Sequence, residues 1–85
     1  MPRIEIYTTP FCPYCHAAKR LLAKKAAEYH EIDVSRDPEL RSAMTARAGG
    51  RRTVPQIFIG DLHVGGSDDL HALDHAGKLD RLLAD

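Results

Sequence analysis

Arg3-Ile4-Glu5-Ile6-Tyr7-Thr8-Thr9-Pro10-Phe11-Cys12-Pro13-Tyr14-Cys15 changes its hydrophobic period once, and the change falls between Thr8 and Cys12. Up to Thr8, Ile4 and Ile6 alternate with Arg3 and Glu5. Tyr7 and Thr8 add strand propensity, so residues 3–8 are expected to form a strand that Thr9-Pro10 stops. Over residues 13–27, alanine and leucine mixed with lysine and arginine favour a helix. In it Cys15, Ala18, Leu21 and Leu22 share one face, and Lys19, Lys24 and Lys25 mostly take the other. Cys12 then falls near the N-cap. Pro13 takes the first helical position, where a missing N–H removes no hydrogen bond.

Residues 29–34 read as a second short strand, and a helix between two strands implies a right-handed parallel βαβ unit. Asp37-Pro38-Glu39 is a helix start, with Leu40, Met44 and Ala48 following and Gly49-Gly50 ending the helix. Gln56–Ile59 and residues 62–64 are two strands separated by Gly60-Asp61, a dipeptide that suits a type II′ hairpin turn. Gly65-Gly66-Ser67-Asp68-Asp69 leads into a helix carrying Leu70 and Leu73, and Gly77 separates it from a last turn or two with Leu79, Leu82 and Leu83. The order βαβαββα, with a further terminal helix allowed, describes an α/β protein. Its expected core is a four-stranded mixed sheet with helices on both faces.

At 85 residues the chain suffices for one domain, spanning 1–85, that buries roughly 60% of its surface. Hydrophobic content of 44% and charged content of 28% are ordinary for a globular protein, which excludes a disordered or fibrous chain. The formal net charge is zero, so nothing favours nucleic acid or an anionic membrane as a partner. Glu5 interrupts any apolar leader and no stretch reaches the length of a membrane span, which leads to the expectation of a cytoplasmic protein.

The two cysteines, Cys12 and Cys15, are three apart, and a disulfide closing so short a loop stabilises little. In a reducing compartment such a pair is chemical rather than structural. Backbone N–H groups at a helix start lack intrahelical partners and, with the helix dipole, favour a thiolate over a thiol at Cys12. Cys15 lies one turn further in, less exposed, where its sulfur can close onto Cys12. In this arrangement Cys12 attacks and Cys15 resolves. Free cysteines are often small core residues, yet a C-x-x-C pair between strand and helix in a chain with no other cysteine is far more specific than that. Cys12-Pro13-Tyr14-Cys15-His16 also matches the C-x-x-C-H haem attachment pattern, with Met44 or a later histidine as second axial ligand. That assignment requires export and leaves the β-rich middle unexplained. A zinc site using His16, His63, His71 or His75 lacks a second ligand pair at finger spacing.

Thr53-Val54-Pro55 immediately precedes the third strand, and a proline there belongs at the strand's first position, either as an ordinary trans residue or through a cis bond. With Cys12-Pro13-Tyr14-Cys15, Thr53-Val54-Pro55 and Gly65-Gly66-Ser67-Asp68-Asp69 in this order and spacing, the chain resembles the small dithiol glutaredoxins of the bacterial glutaredoxin 3 kind along nearly its whole length. The resemblance implies a thioredoxin fold, with Pro55 cis and facing the active-site sulfur. It further implies a glutathione-dependent thiol–disulfide oxidoreductase that reduces glutathione mixed disulfides and protein disulfides. Cys12 would be nucleophile and Cys15 the resolving residue. Glutathione would lie along Tyr14, Thr53, Val54, Pro55, Gly66, Ser67 and Asp68, with Val54 pairing its backbone as an added strand does. Ser67 and Asp68 would receive the γ-glutamyl end, where a helix start favours a carboxylate and an acidic side chain meets the ammonium. Asp69 could take the latter role or serve only as a first-turn acid.

Many members of that family carry lysine where this chain has Thr9, and Arg47, Arg51 or Arg52 are the candidates for a replacement cation. The expected partners are glutathione, glutathionylated proteins and disulfide substrates, acting on a monomer with no resident cofactor and no metal. A thioredoxin-like reductant is disfavoured by Tyr14 and the absence of tryptophan, and an iron–sulfur carrier by Pro13. His16 reads as an exposed helical residue, and His30, His63, His71 and His75 as surface or half-buried. Tyr7, Phe11, Leu22 and Phe58 read as core or groove wall.

Overall fold

The computed structural model describes residues 2–84. Its elements run β1 (Ile4–Thr8), α1 (Pro13–Lys24), β2 (His30–Asp33), α2 (Pro38–Arg47), β3 (Gln56–Ile59), β4 (Leu62–Gly65), α3 (Ser67–His75) and α4 (Leu79–Ala84). The sheet order is β2-β1-β3-β4, with β1 and β2 parallel and the other neighbours antiparallel. The period-2 pattern decides what each face buries. Ile4 and Ile6 pair with Ile59 and Ile57, and these four pack with Ala18, Leu21 and Leu22 of α1, Leu70 of α3, and Leu79 and Leu83 of α4. On the opposite face Tyr7 and Phe58 pack with Val34, Met44 and Ala48 under α2. Helices therefore cover both faces of a mixed sheet, which is the thioredoxin fold.

Local signals account for the helix starts. Asp37 caps α2, its Oδ1 accepting the N–H of Glu39 at 3.0 Å and of Leu40 at 3.2 Å. Gly60 has φ 57° at the first position of the β3–β4 turn, as a type II′ turn requires. Leu40 is 38% exposed, whereas Met44 and Ala48 are buried. With Met44 packed in the core beside Tyr7 and Phe58, its thioether faces no cysteine.

The first helix is shorter than its composition suggests. It ends at Lys24, and Ala26 takes the left-handed conformation at φ 55°. The N–H of Ala26 bonds to Ala23 O at 2.9 Å and the N–H of Ala27 to Leu22 O at 3.0 Å, the two bonds of a Schellman termination. Ala27 is thereby turned into the core. Lys25, at the cap, reaches Asp74 at 2.7 Å and Asp80 at 3.0 Å, linking the end of α1 to α3 and α4.

Phe11, read as core or groove wall, is 96% exposed, while Tyr7, Leu22 and Phe58 are buried as expected. Phe11 lies in the β1–α1 turn, outside any period that would aim it inward. On one side Pro10 O is held by His16 Nε2 at 3.0 Å, and on the other Cys12 is committed to the helix cap. The side chain between them is left outside.

An L-residue in the left-handed region costs about 1–2 kcal/mol, and glycine there loses only part of that gain to its greater unfolded-state freedom. Ala26→Gly is therefore expected to raise the unfolding free energy by roughly 0.5–1 kcal/mol, read as a higher urea midpoint at unchanged slope. A lower midpoint would refute the account of how α1 ends.

Candidate functional site

Cys12 is the N-cap of α1, with extended backbone at φ −126° and ψ 105°, and its Sγ accepts the N–H of Cys15 at 3.1 Å. Pro13 at the next position has no N–H to compete for that sulfur. The Cys12 thiol also donates to Val54 O at 3.7 Å, so the sulfur lies against the loop that enters β3. Both cysteines are free thiols, Cys12 8% exposed and Cys15 fully buried. Burial, followed by the hydrogen bond with Cys12, pushes the Cys15 thiol up to about 12. The two sulfurs are thus unequal: one reaches the surface at a helix start and the other is held protonated behind it.

The Val54–Pro55 bond is cis, as the sequence resemblance implied. Beside it lies a groove of about 230 Å³ lined by Tyr14, Arg51, Thr53, Val54, Pro55, Gly66, Ser67, Asp68 and Asp69. All seven residues singled out for binding share this wall: Tyr14 from the first turn of α1, Thr53, Val54 and Pro55 from the approach to β3, and Gly66, Ser67 and Asp68 from the start of α3. A larger cavity of about 710 Å³ lies against α2 and the loops beside it, lined in part by Arg36, Arg41 and Arg52, but no cysteine borders it. Neither lining includes a cysteine, but Cys12 Sγ lies 3.7 Å from Val54 O of the smaller groove, so chemistry that needs a thiol belongs there.

The structure separates the two acids that sequence left open. Asp69 Oδ2 accepts the N–H of Gly66 at 2.8 Å and lies 3.3 Å from Arg51 Nη1. The Gly66 bond, with help from Arg51, holds its carboxyl below the usual carboxylate range. Both acids are exposed and line the groove, but Asp69 also closes the helix start through Gly66. Gly65, at φ 113°, lets this happen, because a Cβ there would collide with the Asp69 carboxylate.

The three arginines separate as well. Arg47 is not in the groove: its Nη2 lies 2.8 Å from Glu5 Oε1, its Nη1 is 3.2 Å from the Tyr7 hydroxyl, and its guanidinium sits 4.0 Å from the Phe58 ring centroid. Arg52 borders the larger cavity, and Arg51 alone of the three lines the groove. Near the cysteines, Lys19 is bound to Glu31 at 2.9 Å. His16 is exposed, as expected, but sequence gave no sign of its bond to Pro10. Gln56, fully buried at the start of β3, also passed unnoticed in the sequence. Its signal was the strand period, which places it on the same face as Phe58.

The family model for glutaredoxin matches residues 4–64. A glutaredoxin of Pseudomonas aeruginosa is 57% identical over 99% of both chains. Glutaredoxin 3 of Escherichia coli K12 is 51% identical, covering 98% of this chain and 99% of its own. Among solved structures, a glutaredoxin from Brucella melitensis superposes with a TM-score of 0.86 at 61% identity, covering 98% of this chain and 89% of that one. A buckwheat glutaredoxin–glutathione complex superposes with a TM-score of 0.89 at 29% identity, covering 98% of this chain and 77% of that one. A cysteine pair at the start of α1, set in a thioredoxin fold, together with these likenesses, makes the chain a thiol–disulfide oxidoreductase that belongs to the glutaredoxin family, of the glutaredoxin 3 type.

Proposed function

We propose that the protein reduces glutathione mixed disulfides, and protein disulfides, with glutathione as the electron donor. The observation that carries this reading is the position of the more exposed sulfur: Cys12 Sγ touches Val54 O, a wall of the groove, at 3.7 Å. Glutathione suits that groove. Its peptide backbone matches the extended Thr53-Val54-Pro55 edge, its α-carboxylate the free N–H groups at the start of α3, and its ammonium the Asp68 carboxylate. Arg51 supplies a cation at the same wall, in place of the lysine absent at Thr9. A glutathione complex of the buckwheat relative supports the choice of ligand.

In the first step the Cys12 thiolate attacks the glutathionyl sulfur, forming the Cys12–glutathione disulfide as the substrate's sulfur leaves as a thiolate and takes up a proton. A second glutathione thiolate attacks that bond, releasing oxidised glutathione and restoring Cys12. With a protein disulfide, the Cys12 thiolate breaks the S–S bond, releasing one protein sulfur as a thiolate that takes up a proton and holding the other in a mixed disulfide, and Cys15 then surrenders its proton and displaces that second protein thiol. The resulting Cys12–Cys15 bond is reduced by two glutathiones. No resident cofactor enters the cycle. The proposed cycle is that of a monomer working in the cytoplasm; among the described residues no helix is long and apolar enough to cross a membrane.

Three outcomes follow. Cys12→Ser is expected to abolish turnover of a glutathionylated peptide, while Cys15→Ser retains it and loses most reduction of a protein disulfide. Glutathione-coupled assays on both substrates check this, and full activity in Cys12→Ser would reverse the assignment. Asp68→Ala is expected to raise the KM for glutathione by a factor of roughly 5–10, with a smaller change in kcat, as loss of a positioning contact does. An effect confined to Asp69→Ala would move the ammonium site. The buried thiol of Cys15 also sets a pH dependence. An unfolded chain loses this proton near pH 9 and the folded chain retains it up to about 12, so stability is intact below pH 9 and falls as pH rises through that window. Urea midpoints of the reduced protein should therefore drop more steeply from pH 9 to 11 than those of Cys15→Ala; parallel curves would refute the perturbed thiol.

A further inference from the structure

Gln56 and His63 lie on the α2 face of the sheet, behind the groove, and neither borders it. Gln56 Nε2 lies 3.0 Å from Thr53 O and 3.3 Å from Thr53 Oγ1. A carbonyl oxygen only accepts, so the amide nitrogen must face Thr53, and this turns Oε1 toward His63. His63 Nε2 is 2.7 Å from that oxygen, which also only accepts, so the imidazole carries its proton on Nε2. The ring is held in place by stacking on Phe58, with centroids 4.8 Å apart at 25°, and Arg47 lies against the same Phe58. The charged groups that act on His63 are Arg51, Asp69 and Arg47; burial and the two arginines hold the imidazole below its ordinary value, so it is neutral near pH 7.

The chain of bonds thus runs from His63 on β4, through the fully buried Gln56 amide, to both the carbonyl and the hydroxyl of Thr53 at the groove wall. Because Thr53 Oγ1 accepts from Gln56, its own proton is left to be donated elsewhere. We infer that His63 is a positioning residue for the glutathione groove, holding Thr53 in its binding orientation through Gln56. The inference rests on the glutathione reading for its effect on kinetics, but the hydrogen-bond chain exists with or without a ligand.

His63→Leu leaves Gln56 Oε1 buried without a donor, so the amide can turn and release Thr53. The expected result is a rise in the KM for glutathione on the order of fivefold, with the rate of Cys12 alkylation by iodoacetamide unchanged. His63→Gln, which restores an N–H donor, should recover most of the parent KM. A lower melting temperature with an unchanged KM, or no recovery in His63→Gln, would reduce His63 to a packing residue and overturn the inference. Should His63→Leu fail to fold, nitrogen-15 NMR of the parent protein decides: the Nε2–H tautomer at pH 7 sustains the chain of bonds and the Nδ1–H tautomer refutes it. The same spectrum separates the two readings. A parent protein that does not use glutathione would defeat the proposed function, and the tautomer would then decide whether His63 holds Thr53.

Discussion

The hydrogen bond from the Cys15 N–H to Cys12 Sγ, at 3.1 Å, makes one sulfur both the cap of the first helix and the atom available for exchange. Most helix caps are oxygen atoms with no further duty. Here the chain gives that place to sulfur, removes the neighbouring donor with Pro13, and fixes the preceding turn through the bond between His16 and Pro10. The remaining architecture serves this one contact. β1 is an inner strand, paired on both sides, so the helix start that follows it is anchored to the centre of the sheet.

The same register assembles the groove from distant segments. β3 runs antiparallel to β1 with Gln56 opposite Tyr7, so whatever precedes β3 must lie beside whatever follows β1. Thr53-Val54-Pro55 therefore arrives next to Cys12 as a consequence of strand pairing. The β3–β4 hairpin then returns the chain to the same end, where Gly65 and Gly66 deliver the start of α3. The inner wall is neutral and hydrogen-bonded, through Gln56, while the outer rim carries Arg51 and Asp68. The ion pair between Arg51 and Asp69 is half-exposed and contributes little stability by itself. Its effect is to occupy Asp69 and so leave the neighbouring acid for other partners.

Much of this was legible in the residues. The alternation of Ile4 and Ile6, the Asp37-Pro38 start and the Gly60-Asp61 turn each carry a local cause, and the elements they mark lie within a few residues of expectation. That the three motifs share one groove was implied by the family resemblance, and each also has a backbone reason to be unusual. What sequence did not show depends on geometry across the sheet. Nothing local distinguishes Asp68 from Asp69 until the Gly66 N–H chooses one of them. Arg47, Arg51 and Arg52 look alike until their helix and loop aim them at Glu5, Asp69 and the larger cavity. Phe11 looked like core because it is aromatic, but a turn residue between two committed neighbours has no period to bury it. α1 ended three residues before its composition changed, at Lys24, because the Schellman bonds around Ala26 turn Ala27 inward.

The packing of the larger core sets a schedule for a chain leaving the ribosome. Ile4 and Ile6, made well before α4, share a cluster with its Leu79 and Leu83. At six residues α4 is too short to hold its shape alone, and it is fastened to the end of α1 through Asp80 and Lys25. During synthesis the central strand can pair with its neighbours but keeps part of its apolar face open to water until α4 has emerged. For a nascent chain, that is an interval in which a chaperone can bind the uncovered isoleucines, and it closes only when α4 arrives.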